Sequence, residues 1–221
     1  MKMPDFRLPV TVLLHHHVLL PWAELRRFLP EPPQVITLDF HTDTLSAVPR
    51  GVAADPGAWQ DETLLRDAVA RLHHDEHFDW ALRTGLISRA DIIAVSPQTG
   101  AYGHPDMQVH PLAAELTPET VLQNPEKIRH LADKALELLP EIPVKKPFIL
   151  DVDCDFFLTL QACRIRQDSR FAEWVRHAVM ITLSREEDWV KLLRLPGETF
   201  SGEEIACCLQ EQCLLRRSAC C

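Results

Sequence analysis

The sequence predicts an α/β protein: a three-layer, doubly wound, mostly parallel sheet forming one compact domain over residues 1–221. Three observations predict it. Apolar runs rich in β-branched residues recur along the chain, segments of helical period separate them, and two runs end in alternating acidic residues. Strands separated by helices build βαβ units, and strands apolar on both faces belong to a parallel sheet with helices on either side.

The first strand is expected within F-R-L-P-V-T-V-L-L (6–14), followed by a helix over P-W-A-E-L-R-R-F-L (21–29). Prolines in P-E-P-P (30–33) punctuate the joint, and V-I-T-L-D-F (35–40) reads as the second strand. A helix over 62–72 continues into F-D-W-A-L-R-T-G (78–85), and D-I-I-A-V-S-P (91–97) is the next strand. The Gly/Pro-rich stretch 99–111 holds His104 and His110 and reads as a loop over the site or an edge excursion. Asn124 as N-cap, Pro125 at the first helical position and Pro140 as terminator bound a helix over 124–139. Two further runs, P-F-I-L-D-V-D (147–153) and A-V-M-I-T-L-S (178–184), complete the strands. A closing helix over about 201–216 has Ser201 as N-cap, with Glu203 and Glu204 in its first turn, where carboxylates favour the positive end of the helix dipole.

Composition excludes several function classes. Thirty-two Asp and Glu against 23 Lys and Arg give a formal charge of −9, and no basic stripe offsets it, so a nucleic-acid partner is not expected. No apolar run reaches the length of a membrane span, and the Pro, Asp and Arg near the N-terminus spoil the order of a signal peptide. The cytoplasm is the expected location. Cys207, Cys208, Cys213, Cys220 and Cys221 crowd the C-terminal tail without C-x-x-C spacing or histidine complement, and read as reduced thiols rather than a zinc site.

The acidic motifs carry the chemistry. Asp39, His41 and Asp43 alternate in L-D-F-H-T-D, and Asp151, Asp153 and Asp155 alternate in L-D-V-D-C-D. Period two on a strand sends alternate side chains to one face, so each strand end presents several ligands together. Desolvation and mutual repulsion oppose ionisation of such a group unless cations compensate it. The first strand adds His15, His16 and His17. In open α/β sheets ligands sit beyond the carboxyl ends of the strands, where all three sets fall. Carboxylate oxygens with one or two imidazoles suit a pair of Mn²⁺ ions better than zinc, whose usual set is thiolates or three histidines.

These stretches resemble the D-x-H-x-D and D-x-D metal motifs of the arginase/ureohydrolase superfamily, whose fold the deacetylases share. The order H-H-V-L-L-P-W, L-D-F-H-T-D, D-E-H-F-D-W-A-L-R-T-G-L-I, L-D-V-D-C-D-F-F, over about residues 10–185, resembles the peptide arginases. Those enzymes convert arginine side chains of ribosomally made precursor peptides to ornithine. The resemblance implies that His16, Asp39, His41, Asp43, Asp151 and Asp153 hold a binuclear manganese centre. His16 is placed by the H-x-x-x-x-P spacing to Pro21, with His15 and His17 as alternatives. Asp155 departs from the arginase pattern, since Phe156 and Phe157 follow it, and is grouped with the substrate-binding residues.

The implied mechanism is metal-assisted hydrolysis of a guanidinium to amine and urea, with Asp43, Asp153 or a nearby histidine supplying the proton to the leaving amine. A guanidinium also needs a carboxylate in fork geometry, for which Glu76 comes first and Glu186 second. T-L-S-A-V-P follows the first motif in place of the N-x-P-type loop of arginases for the free amino acid, which disfavours free arginine as substrate. Two other readings remain: a deacetylase of the same fold, with Tyr102 as the one tyrosine in the chain, and a non-catalytic arginine-peptide binder. His73, His74 and His77, with Asp75 and Asp79, read equally as a solvated helix face or as part of a site, and the five tryptophans as core or rim packing.

Overall fold

A computed structural model of the chain describes residues 6, 8–96, 103–112 and 125–218. Six strands form one sheet: β1 (Val10–Val12), β2 (Gln34–Asp39), β3 (Arg89–Ala94), β4 (Met107–Pro111), β5 (Phe148–Asp153) and β6 (Met180–Ser184). Their spatial order is β1-β6-β5-β2-β3-β4, and every pair is parallel. The helices are α1 (Leu19–Arg26), α2 (Glu62–Arg71), α3 (His77–Arg83), α4 (Pro125–Ala132), α5 (Arg170–His177), α6 (Glu187–Leu193) and α7 (Gly202–Ser218).

The pleat divides each central strand between two cores. Val35, Ile92, Ile149 and Met180 pack with Leu19 and Trp22 of α1, Leu65 of α2 and Phe78 of α3. Ile36, Ile93, Leu150 and Ile181 pack against Ile128 of α4, Phe171 and Trp174 of α5, and Ile205 and Leu209 of α7. Each fully buried side chain of this size contributes about 1.5–3 kcal/mol, which makes the two apolar layers the main source of stability. The sheet is thus the middle of three layers and doubly wound.

From β2 the chain steps outward through β3 to β4, whereas from β5 it steps the other way to β6. Adjacent β2 and β5 therefore flank the switch point, where the connections diverge and leave a crevice at the carboxyl ends. Asp39 closes β2 and Asp153 closes β5, on the two sides of that crevice.

Several elements differ from expectation. The first strand keeps only Val10–Val12, because it pairs on one side, with β6. The helix of 62–72 does not run into the next: Leu72 is extended, and a turn through 73–76 separates α2 from α3. Helix α4 stops at Ala132 and a short 3₁₀ turn, Ala135–Glu137, replaces its expected last turn; Asn124 and Pro97 lie outside the described residues. Part of the 99–111 stretch is the edge strand β4, on which His110 Nε2 lies 2.8 Å from buried Asp91. Helices α5 and α6 are additional to the expected elements. The cap of α5 follows a familiar rule, with Ser169 Oγ accepting the Ala172 N–H at 3.1 Å. Ser201 caps α7 in a reciprocal box with Glu204, its Oγ accepting the Glu204 N–H at 3.2 Å and Glu204 Oε2 accepting the Ser201 N–H at 2.8 Å. The helix runs to Ser218. Cys154, Cys163, Cys207, Cys208 and Cys213 are free, and Cys220 and Cys221 lie outside the described residues. No helix among the described residues is long and apolar enough to cross a membrane.

Helix α7 meets the end of β6 closely. A Cβ at Gly202 would collide with the Arg185 carbonyl oxygen, and Glu187 fixes the approach by accepting the N–H groups of Gly202 and Glu203 at 3.2 and 2.9 Å. Because the clash is with backbone, Gly202→Ala is expected to lower stability by ~1–3 kcal/mol in urea denaturation with an unchanged slope. An unchanged midpoint would contradict the tight approach.

Candidate metal centre

Three turns deliver the site. After β2 the backbone folds back so that the His41 N–H donates to Asp39 Oδ1 at 2.7 Å, and Asp43 follows with φ of +45°. After β5 a 3₁₀ turn spans Cys154–Phe156, with the Asp155 N–H donating to Asp153 Oδ1 at 3.3 Å. Asp155 Oδ1 accepts the Phe40 N–H at 3.2 Å, tying the second turn to the first. After β1, His15 opens a 3₁₀ turn, and its backbone N–H donates to Glu186 Oε1 at 2.6 Å.

His15 is fully buried at the centre. Its Nδ1 lies 2.8 Å from Asp43 Oδ2, 3.2 Å from Asp153 Oδ2 and 3.5 Å from Asp39 Oδ2. Its Nε2 lies 2.7 Å from Asp151 Oδ2. His41 Nδ1 lies 3.2 Å from Asp155 Oδ2 and 3.9 Å from Asp39 Oδ1. Asp39, Asp43, Asp151, Asp153 and Asp155 are each buried. Asp39 Oδ2, Asp43 Oδ1 and His77 Nε2 have no hydrogen-bond partner despite complete burial. His77 Nδ1 lies 2.6 Å from the His74 carbonyl, which can only accept, so Nδ1 carries the proton and Nε2 is a bare lone pair.

Two groups of ligand-type atoms share Asp39: His15, Asp39 and Asp153, and Asp39, His41 and Asp155. A third joins His15, Asp43 and His77, the atoms of each group lying within 4.8 Å of one another. These donors fit a pair of cations, because the unpartnered oxygens and the lone nitrogen have no protein donor to meet them. Electrostatics agree in direction. Burial pushes Asp43 well above the usual carboxylate range, with the charge of Asp39 adding to it, and burial with Asp155 does the same to Asp153. Burial opposes protonation of His15, yet Asp151 and Asp153 outweigh it and hold His15 well above its ordinary value. His41 likewise overcomes burial through Asp155 and rises to about 9. Without cations, the cluster compensates its charge with protons.

The structure redistributes the expected residues. His15, not His16, enters the cluster. Three residues per 3₁₀ turn aim successive side chains about 120° apart, so one of the three histidines can face inward. His16 packs edge-on to His17 with ring centres 4.6 Å apart, and burial lowers it to about 4. Asp151 is also outside the ligand groups: it sits one pleat back from the strand end, and Asp153 with Asp155 reaches the crevice instead. Glu76 is committed elsewhere, both oxygens accepting Arg50 Nε at 2.8 Å and Oε2 accepting the His73 N–H at 2.9 Å. The chain's own guanidinium fills the fork expected for a substrate. Glu186 does stand beside the cluster, buried and left-handed at φ +38°.

His77 and Asp79, which the sequence leaves equally open as a solvated face or part of a site, are fully buried. Asp79 is structural, accepting Arg83 Nε through both oxygens and the Ala47 N–H. His77 belongs to the site, and the signal was its place in H-F-D-W beside two deeply buried aromatics, Phe78 and Trp80. Trp189 forms the rim, its ring 4.7 Å from His41 and 5.8 Å from His74. Tyr102 lies outside the described residues.

No protein-family model matches the chain, and no curated protein matches it. Two of the solved structures that resemble it are an agmatinase and an amidino hydrolase. A hypothetical agmatinase from Burkholderia thailandensis is 15% identical, with 96% of this chain and 60% of that one covered at a TM-score of 0.46. Proclavaminate amidino hydrolase from Streptomyces clavuligerus is 14% identical, with 94% and 62% covered at a TM-score of 0.43. The chain thus spans about three fifths of the length of each.

The raised His41 has a measurable consequence in metal-free protein. A folded value of about 9 against an ordinary 6.5 means that His41 adds stability fully present below pH 6.5 and lost as pH rises through 9. Asp43 and Asp153, also raised, act with the same sign. Thermal midpoints of metal-free protein are expected to fall between pH 6.5 and 9, and less steeply in His41→Asn. A midpoint that rises over this window would contradict the protonated cluster.

Proposed function

We propose that the chain is a metal-dependent hydrolase of guanidinium groups, acting on arginine side chains within a ribosomally made peptide to give ornithine and urea. The observation that carries this reading is the buried set of carboxylates and imidazoles in which Asp39 Oδ2, Asp43 Oδ1 and His77 Nε2 have no hydrogen-bond partner. One ion would be held by His15, Asp39, Asp43 and Asp153, and a second by Asp39, His41 and Asp155, with His77 behind Asp43. Oxygen-rich donors with one imidazole per ion favour manganese. When bound, such a pair supplies Lewis acidity that makes hydroxide available near neutral pH for attack on the guanidinium carbon.

The protein's own residues do the rest. Glu186 offers a carboxylate beside the cluster for the fork of a guanidinium, while its Oε1 anchors the backbone of His15. Asp43 and Asp153 face His15 Nδ1 and are committed to holding charge, which leaves the half-buried His74 at the rim to protonate the departing amine. The C–Nε bond of arginine then breaks, the nitrogen leaving as the ornithine amine and the carbon as urea. Trp189 presents an aromatic face at the mouth, suited to a cationic side chain. The order of motifs along the chain and the T-L-S-A-V-P segment after the first motif support a peptide over free arginine. The partner is then the precursor peptide, and the place of work the cytoplasm.

Urea release by Mn²⁺-loaded protein, from an arginine-containing peptide and from free arginine, tests the reading. Urea and ornithine from the peptide alone, lost in Asp39→Asn, are expected. Glu186→Gln is expected to lower kcat/KM by 10²-fold or more, as loss of a charged fork costs on the order of 3 kcal/mol. No urea from either substrate, with both ions bound, would leave deacetylation or binding without turnover.

A further inference from the structure

We infer that Asp151 is a positioning residue, which fixes the tautomer and orientation of His15 rather than binding an ion itself. The inference rests on the metal reading above. Asp151 is paired in register with Thr37 of β2 on one side and Thr182 of β6 on the other, so the three side chains form a row across the sheet, one pleat behind the crevice. Thr37 Oγ1 donates to Asp151 Oδ2 at 2.9 Å, and Thr182 Oγ1 donates to Oδ1 at 2.5 Å. The indole N–H of Trp22 donates to Thr182 Oγ1 at 3.2 Å, so the hydroxyl proton is free to point at Asp151. The polarity of the row is therefore set: Trp22 to Thr182 to Asp151, with Thr37 donating from the other side.

His15 completes it. Asp151 Oδ2 lies 2.7 Å from Nε2, and the carboxylate whose oxygens already accept both threonine hydroxyls accepts the Nε2 proton as well. With Nε2–H committed to Asp151, Nδ1 is the nitrogen left to offer a lone pair, and it faces Asp43, Asp153 and Asp39. This is the outer carboxylate that metal-binding histidines use, here supplied by a residue that the alternating motif presents as a ligand. Asp151 has two threonines and one imidazole on its oxygens, whereas Asp39 and Asp43 each keep a buried oxygen with no hydrogen-bond partner.

Two measurements on the full chain test this. Calorimetric titration with Mn²⁺ compares unchanged protein, Asp151→Asn and Asp153→Asn. Two ions per chain are expected for the first two, with affinity about 10–100-fold weaker in Asp151→Asn, and no more than one tightly held ion in Asp153→Asn. A folded Asp151→Asn that has lost one ion would make Asp151 a ligand, and one with unchanged affinity would remove any positioning role; both overturn the inference while sparing the metal reading. No ion in the unchanged protein would overturn both. The second measurement needs no variant: long-range ¹H–¹⁵N spectra of Zn²⁺-loaded protein are expected to show His15 protonated on Nε2. A proton on Nδ1 would overturn the assignment.

Discussion

Charge compensation in a buried space is the constraint on which the structure turns. Five aspartates, 39, 43, 151, 153 and 155, lie buried around two imidazoles, and no Lys or Arg side chain pairs with any of them among the described residues. Carboxylates in this number cannot all be ionised in a dry site without positive charge beside them. The metal-free cluster answers with protons on His15, His41 and part of the carboxylates; two cations answer better, because they also meet the lone pairs that protons leave bare. The ligands must also be held together against their repulsion, and that demand explains much of the surrounding architecture.

The sheet meets it by topology. Diverging connections from β2 and β5 open a crevice where two strand ends can each present an alternating set of side chains. Backbone strain is concentrated here as well. Asp43 and Glu186 are the non-glycine residues with positive φ among the described residues, and each hydrogen-bonds His15, one through its ring and the other through its backbone. Such conformations cost on the order of 1–3 kcal/mol each and persist only where packing over-determines them. Helix α7 supplies part of that packing: Gly202 sits against the Arg185 carbonyl, next to Glu186, and Glu187 caps the helix. A helix with no chemistry of its own thereby holds in place a residue beside the carboxylate cluster.

Much of this was legible in the sequence because it rests on period. Runs apolar on both faces, separated by helical segments, gave the parallel sheet, and Asp39 closes β2, whereas His41 and Asp43 lie past its end in a turn where period two no longer applies. What period cannot report is where a strand stops. Whether Asp151 or Asp155 joins Asp153 in the crevice depends on β5 ending at Asp153 and turning, and that end is set by register with β2 and β6. The same limit hid His15, since three adjacent histidines differ only in the phase of a short 3₁₀ turn. Glu76 illustrates a different limit. Its residue type suited a guanidinium, but the guanidinium it meets is Arg50, whose approach depends on a loop fold that no local pattern encodes. Helix α6 is seven residues long, too short for a hydrophobic stripe to stand out from neighbouring loop, whereas α5 did carry a signal in its sequence, the Ser169 cap and the apolar face of Phe171, Trp174 and Val175.

The central claim is that this cluster exists to hold two cations that share Asp39. Anomalous diffraction from Mn²⁺-loaded crystals, collected at the manganese edge, tests it most directly. Two peaks are expected, both against the Asp39 carboxylate, one beside His15 with Asp43 and Asp153 and the other beside His41 with Asp155. Absence of both peaks, or a peak on Asp151 between the two threonines, would contradict it.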